Sequence, residues 1–460
     1  MVSNLAARLL ALVTMPILTG LLSPDVYGSA ALAATLISLL SVFALAGVDV
    51  SYVRAYQNKN DHNPDTVEAY AWRFALAASA MVALIAWIAW PYLADALGLE
   101  GYLILFVVAG IIASVLQAMA QARARLANRY RRLSVSVLSA ALGAAAAAIA
   151  IACWRRDVTA LMTATVLASL IPVIMLGVPP LRCLVRPSGL DSTARSSVFQ
   201  IGVAAVFSAP AYWVMASSDR WFLGYFLDTG AVGIYSVSYT IAVMGMLVNN
   251  AFLPVWTTET IREVEAGAGG SSNKLGEVAE QLFAVLLIVW LAITAAGGDV
   301  LRLLAAPEFH AARILIPLIA LAVLFHGVIH IATGLFIVAD KLKQTVWWWL
   351  GGSMLCLIAN ASLVPEFGIV GAAVTQAVSF GFVAGGLLYR SRRVIRMDFK
   401  WARLTAFAVA VLLSGYVLLP AWSEHPLMSL LMKAPVGFAV LFIGVRLFGG
   451  KRPLALWKRA

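Results

Sequence analysis

Asp49 stands in Ala46-Gly-Val-Asp-Val-Ser-Tyr-Val-Arg54, at the end of a long apolar run. An ionisable group at bilayer depth costs about 2.5–3.5 kcal/mol on insertion scales, so each one needs a reason. At helical spacing Ser38, Val42, Leu45, Asp49, Tyr52 and Tyr56 form one stripe that is too polar for lipid. The stripe predicts a cavity-facing surface; the alternative is an ion pair of Asp49 with Arg8 or Arg73. Arg8, one turn into the first apolar run, reads either as a snorkelling anchor or as a phosphate contact at a cavity mouth. Arg54 and Arg73 bracket the first loop and share that choice, with loop anchoring as the simpler account. A guanidinium fork suits phosphate better than a lysine point charge does.

Two further runs carry polar chemistry. Tyr212, Trp213, Ser217, Ser218, Asp219 and Arg220 follow Pro210, a bend residue. Neighbours on a helix point about 100° apart. Asp219 and Arg220 are therefore expected to face away from each other, each toward another partner, a solvated mouth or a substrate. Tyr235, Tyr239, Ala242, Met246 and Asn249 align on one face that could stack on and hydrogen-bond sugar rings. The alternative is an interfacial anchor at Tyr235 with interhelical hydrogen bonds beside it. His326 and His330 stand at i, i+4, but no Glu or Cys completes a metal set, which leaves cavity lining, proton coupling or interhelical bonding. Trp347, Trp348 and Trp349 read as an interfacial anchor, and the Ala-rich Leu142–Ala152 stretch as a close-packing surface. There is no GxxxxGK[ST], GxSxG or HExxH motif and no carboxylate pair of the glycosidase type, so no enzyme activity is expected.

The elements that must position these residues follow from composition. The chain has 460 residues, 62% apolar and 12% charged, with mean hydropathy +0.90. Soluble domains are about 45–50% apolar and about a quarter charged. A soluble enzyme, a disordered chain and a disulfide scaffold are excluded. Fourteen helices of about 20 residues would nearly exhaust the apolar content. The runs lie near 4–22, 28–53, 68–90, 102–122, 133–153, 158–178, 199–219, 231–256, 279–299, 312–338, 345–363, 369–389, 402–420 and 429–448. The first is read as a spanning helix rather than a cleaved signal. With the N-terminus in the cytoplasm, the cytoplasmic segments hold 23 Lys and Arg and the outer segments five. Both termini are thus expected inside. The same bias accounts for the net charge of +11 without a nucleic-acid partner. The outer loops are too short to hold the acceptor of a glycan polymerase. Cys153, Cys183 and Cys356 show no metal-ligand or disulfide spacing.

Leu22-Ser-Pro-Asp-Val-Tyr-Gly28 aligns with Leu227-Asp-Thr-Gly-Ala-Val-Gly233, each opening an even-numbered span, as in duplicated bundles of about six helices. The first of these segments, followed by Gly-Val-Asp49 and Arg54-Ala-Tyr56, resembles the N-terminal helix pair of bacterial polysaccharide flippases. Ser217-Ser-Asp-Arg-Trp-Phe-Leu-Gly224 with Ala231-Val-Gly-Ile-Tyr-Ser-Val-Ser-Tyr239, Leu304-Ala-Ala-Pro-Glu-Phe-His310, and Pro365-Glu-Phe-Gly-Ile-Val-Gly-Ala-Ala373 continue the likeness in order. The branch is the O-antigen and exopolysaccharide translocases of the multidrug/oligosaccharidyl-lipid/polysaccharide exporter superfamily. The resemblance implies an all-α polytopic fold with two six-helix lobes around a central cavity. The lobes would be residues 1–190 and 191–390, with two additional helices and a cytoplasmic tail in 391–460. It implies an undecaprenyl-pyrophosphate-linked oligosaccharide as cargo in the bacterial inner membrane, membrane lipids around it and a polysaccharide polymerase as partner. It points to Arg8, Asp49, Arg54, Asp219, Arg220 and Tyr239 as substrate contacts, beside the Tyr235 and Asn249 of the sugar-binding face. No cofactor or metal is implied; a coupling ion, H+ or Na+, stays open. The alternatives are a cation-coupled drug exporter of the same superfamily and an integral-membrane glycan polymerase. The branch commonly has twelve helices, and fourteen resembles the lipid II flippases, whose arginine-rich opening this N-terminus lacks.

Overall fold

The computed structural model describes residues 2–57, 64–179, 210–265, 271–395 and 399–448, and every regular element among them is helical. In hydrocarbon each backbone polar group must be satisfied within the protein, which a helix achieves locally. Eleven helical stretches are long and apolar enough to cross a membrane, and Leu5–Leu21 adds a shorter apolar helix. One of the eleven, Leu342–Ser391, holds two expected spans, and helical residues 210–226 supply the described part of the seventh. The chain is therefore a polytopic all-α membrane protein of about fourteen spans. It divides into two compact units, Met1–Ser236 and Val237–Ala460.

The first unit contains α1 (Val2–Leu21), α2 (Pro24–Leu45), α3 (Val48–Gln57), α4 (Pro64–Leu97), α5 (Leu103–Leu126), α6 (Tyr130–Trp154), α7 (Thr159–Leu176), α8 (210–226) and the start of α9 (Thr229–Ala242). Small residues let α6 approach its neighbours: Ala148 and Ala152 pack with Leu18 of α1, with Leu22 just beyond it and with Ala160 of α7. A second core joins α3, α4 and α5 through Tyr52, Trp72, Val115 and Met119.

The expected span 28–53 is not one helix. Ala46 (φ 44°) and Gly47 (φ 70°) both adopt left-handed backbone and separate α2 from α3. The Ala46 N–H still bonds the Val42 carbonyl, closing α2. Asp49 consequently sits in the first turn of α3, half-buried, where a carboxylate complements the helix N-terminus. The stripe from Ser38 to Tyr56 is thus split between two helices rather than presented by one, because periodicity does not register a two-residue left-handed break.

The second unit contains the end of α9, a 3-10 turn (Val243–Gly245), α10 (Met246–Glu265), α11 (Ser271–Leu304), a 3-10 segment (Pro307–Ile314), α12 (Leu315–Val338), a 3-10 turn (Leu342–Thr345), α13 (Val346–Ser391), α14 (Trp401–Leu418) and α15 (Pro426–Phe448). A straight helix of the 46 residues in α13 would be about 69 Å long, more than twice a hydrocarbon core of about 30 Å. Gly368 breaks it with φ 57°, ψ −135°, a conformation open to glycine. The two arms then fold together: the indole of Trp348 packs on Gly386, and Phe382 on Gly351. The last two helices dock on α11. Gly415 admits Trp290, and Gly444 admits Ile288 and Phe407.

Candidate functional site

One polar cluster of the first unit is carried by α8 and α9 and reaches α2. Asp219 is 2% exposed and Arg220 7% exposed. Contrary to the expectation that they point apart, Arg220 Nη1 lies 3.4 Å from Asp219 Oδ1, and the Arg220 backbone N–H donates to the same oxygen at 2.9 Å. The long arginine side chain curls back along the helix, which the angle between successive Cβ directions does not forbid. Nη1 also reaches the Ala216 carbonyl, one turn earlier, at 3.4 Å. The fully buried Tyr235 donates its hydroxyl to Asp219 Oδ2, and the Arg220 guanidinium stands 5.7 Å from the Tyr235 ring centre. Tyr235 is therefore not an interfacial anchor: it binds the Asp219–Arg220 pair from the side. Arg220 is likewise enclosed by protein rather than placed at a watery mouth.

Around this cluster, Trp221 Nε1 donates to Thr35 Oγ1 of α2 at 3.0 Å, and Trp221 packs against Trp213 at 5.2 Å between ring centres. Arg8 of α1 is half-buried. Among the described residues Asp49 makes no ion pair with Arg8 or Arg73, so the buried-pair reading of Asp49 is not realised. The side chain of Arg54 lies outside the described residues. Tyr239 is half-buried in α9, beyond the first unit.

The duplicated segments form a reciprocal contact. Ser23 and Asp228, equivalent positions, each cap the helix that follows: Ser23 Oγ accepts from Val26 N–H at 3.5 Å, and Asp228 Oδ1 from Ala231 N–H at 2.7 Å. Thr229 Oγ1 donates to Asp25 Oδ1 at 2.9 Å. The backbones of α2 and α9 touch at their first turns through two glycines. A Cβ on Gly28 would lie 1.6 Å from the Thr229 carbonyl oxygen, and a Cβ on Gly233 would lie 1.9 Å from the Pro24 carbonyl oxygen. Pro24 and Thr229 are themselves equivalent in the duplication, so each helix offers its glycine to the other's opening turn.

In the second unit the expected face Tyr235–Asn249 is interrupted by the 3-10 turn at Val243–Gly245. Asn249 is buried and donates from Nδ2 to the Val323 carbonyl of α12 at 2.9 Å, as an interhelical bond. It lines a mainly apolar cavity with Trp256 and His330. The rings of His326 and His330 meet edge to face, 4.2 Å apart. The alignment of residues at period 3.6 does not reveal a charged cluster in this unit. Lys433 Nζ lies 2.7 Å from Asp299 Oδ2, with both side chains almost fully buried. Ser429 donates to the same oxygen at 2.9 Å, and Arg302 Nη1 lies 3.7 Å from Oδ1. Arg302 also donates to the Ser423 carbonyl at 3.1 Å. A lysine within the last apolar run is the signal in the sequence.

The sequence profile of a family described as polysaccharide biosynthesis protein matches residues 17–257. No curated protein matches the chain in sequence. Among solved structures, the lipid II flippase MurJ in an inward closed conformation aligns over 97% of this chain and 98% of its own, at 12% identity and TM-score 0.73. An inward-facing multidrug resistance MATE family transporter of the MOP superfamily aligns over 87% of this chain and 95% of its own, at 14% identity and TM-score 0.64. A point mutant of the Vibrio cholerae MATE transporter VcmN aligns over 85% and 93%, at 13% identity and TM-score 0.53. These likenesses establish the fold.

Proposed function

Because the chain belongs to the polysaccharide biosynthesis protein family, we propose that it flips an undecaprenyl-pyrophosphate-linked oligosaccharide from the inner to the outer leaflet of the bacterial inner membrane, and that it is not an enzyme. The observation that carries this reading is the extent of the fold match. The lipid II flippase accounts for nearly the whole chain, the two helices after residue 400 included, whereas the drug transporters leave a larger share unmatched. A lipid-linked cargo joins a charged glycan headgroup, which cannot cross hydrocarbon unaided, to a tail that can remain in lipid. In this reading arginines such as Arg8 meet the diphosphate, and Tyr239 meets sugar. Asp49, Arg54 and Asn249 are further candidates from the sequence.

Arg220 and Tyr235, sequence candidates for substrate contact, are enclosed by protein, and in this reading they also act structurally. They fix α8 to α9 beside the reciprocal glycine contact, and this assembly forms one wall that must move when access alternates. With both termini in the cytoplasm the glycine contact lies on the outer side. An inside-negative potential assists expulsion of the diphosphate: two negative charges gain about 4–5 kcal/mol per 100 mV if they cross the whole field. H+ or Na+ coupling and a polymerase partner belong to the same proposal. A deletion strain tests it. Lipid-linked repeat units should accumulate on the cytoplasmic leaflet; normal leaflet distribution with lost efflux of cationic drugs would favour the drug-exporter reading instead.

A further inference from the structure

A recess of about 120 Å³ opens in the first unit, away from the α8–α9 cluster. It lies where α3, the first turns of α4, the last turn of α5 and the end of α7 converge, lined by Tyr52, Tyr56, Glu68, Arg123, Arg129 and Leu176. These are helix ends, and the adjoining turn from Arg123 to Arg132 carries five arginines, so the recess sits at the level where membrane gives way to water.

Three observations describe its chemistry. Tyr52 is fully buried, yet its hydroxyl makes no hydrogen bond with the protein. A buried polar group of this kind is destabilising unless something pairs with it. Its ring is held edge-on against Tyr56, 5.9 Å between centres, which fixes the direction of the hydroxyl. Glu68 Oε1 lies 2.6 Å from Arg123 Nε as an ion pair, which leaves the two terminal nitrogens of Arg123 for another acceptor. Arg129, exposed at the start of α6, makes no ion pair among the described residues. Glu68 neutralises one arginine, so the recess keeps a net positive charge and several donors.

We propose that this recess binds the phosphate of an anionic phospholipid headgroup, with Arg123 and Arg129 as its cationic partners and Tyr52 as a neutral donor. Two guanidinium forks and a phenol match the oxygens of a phosphodiester. The interfacial depth favours a lipid headgroup, and Leu126 and Leu176 add apolar lining beside the charged groups. The proposal is a binding site and does not rest on the transport reading.

The test uses the purified full chain with phosphatidylglycerol, with diacylglycerol as the phosphate-free control, and with inorganic phosphate as the soluble probe. Native mass spectrometry counts retained lipid for wild type, Tyr52→Phe and Arg129→Gln. Wild type should retain phosphatidylglycerol over diacylglycerol, and each variant should weaken retention about tenfold. Tyr52→Phe should be at least as heat-stable as wild type without lipid, since it removes an unpaired hydroxyl; this separates lost binding from misfolding. Displacement of the lipid by inorganic phosphate, sensitive to the same substitutions, would support the phosphate site with a soluble source. Retention that is equal for both lipids, or unchanged in both variants, would overturn the proposal.

Discussion

Gly28→Ala is the most informative single perturbation of the α2–α9 contact. The added methyl would sit 1.6 Å from the Thr229 carbonyl oxygen, 2.6 Å from its carbon and 2.9 Å from the Gly233 nitrogen. All three atoms are backbone, so no side chain can swing aside. Even the tight limit of 3.0 Å requires the two helices to separate by about 1.4 Å along that line. The Asp25–Thr229 hydrogen bond, now 2.9 Å, would then stretch to about 4 Å and be lost. Overpacking of this kind costs about 1–3 kcal/mol. If the contact forms in only one conformation, that cost moves the conformational equilibrium about 5- to 150-fold away from it. The assay is disulfide trapping between Asp25→Cys and Thr229→Cys, with Cys153, Cys183 and Cys356 replaced by Ser. Cross-linking should fall steeply with Gly28→Ala and with Gly233→Ala, at unchanged abundance in the membrane. Gly20→Ala is the control, because nothing lies within 4 Å of its added Cβ. Equal cross-linking in all three variants would refute the reasoning.

Lys433→Met should destabilise the protein by about 3–5 kcal/mol, because it leaves Asp299 buried with a lost partner. Asp299→Asn combined with Lys433→Met should recover part of that loss in thermal unfolding, whereas a silent single variant would show that the pair does not hold α15 to α11. Reporter fusions after Arg132, Arg393 and Ala460 should all report cytoplasm; a periplasmic signal at Ala460 would remove the even span count. Transport should fall in the order wild type, Arg8→Lys, Arg8→Ala if Arg8 meets a diphosphate, and a silent Arg8→Lys would mark a snorkelling anchor.

Length, apolar content and charge placement make the fold class readable, because bilayer thickness and backbone satisfaction leave few other solutions for such a chain. The paired entrances at Leu22–Gly28 and Leu227–Gly233 are also visible, since capping residues and close-approach glycines leave a local signature. Which elements those glycines join is not. A residue pattern gives the face of a helix but not its partner, so Gly28 against Thr229 and Lys433 against Asp299 require coordinates. Asp49 departs from its expected place for a local reason: one apolar run conceals the left-handed pair Ala46–Gly47, and the spacing argument carries an unbroken helix through it. For Asp219 and Arg220 the argument from Cβ direction fails, because the arginine side chain is long enough to fold back. Tyrosines near span ends often anchor at the interface, whereas at Tyr235 a buried carboxylate claims the hydroxyl.

Movement of a lipid-linked glycan between leaflets, as proposed above, can be measured directly in a reconstituted bilayer. Purified protein in sealed vesicles, supplied with undecaprenyl-pyrophosphate-linked oligosaccharide, permits a leaflet-resolved measurement with a membrane-impermeant glycan-cleaving probe. The account predicts that lipid-linked glycan becomes accessible across the bilayer in vesicles containing wild-type protein, faster with the potential directed to expel the anion, and slowly with Arg8→Ala. Accessibility no greater than in protein-free vesicles, with the folded protein confirmed in the membrane and every potential and H+ or Na+ gradient tried, would contradict it.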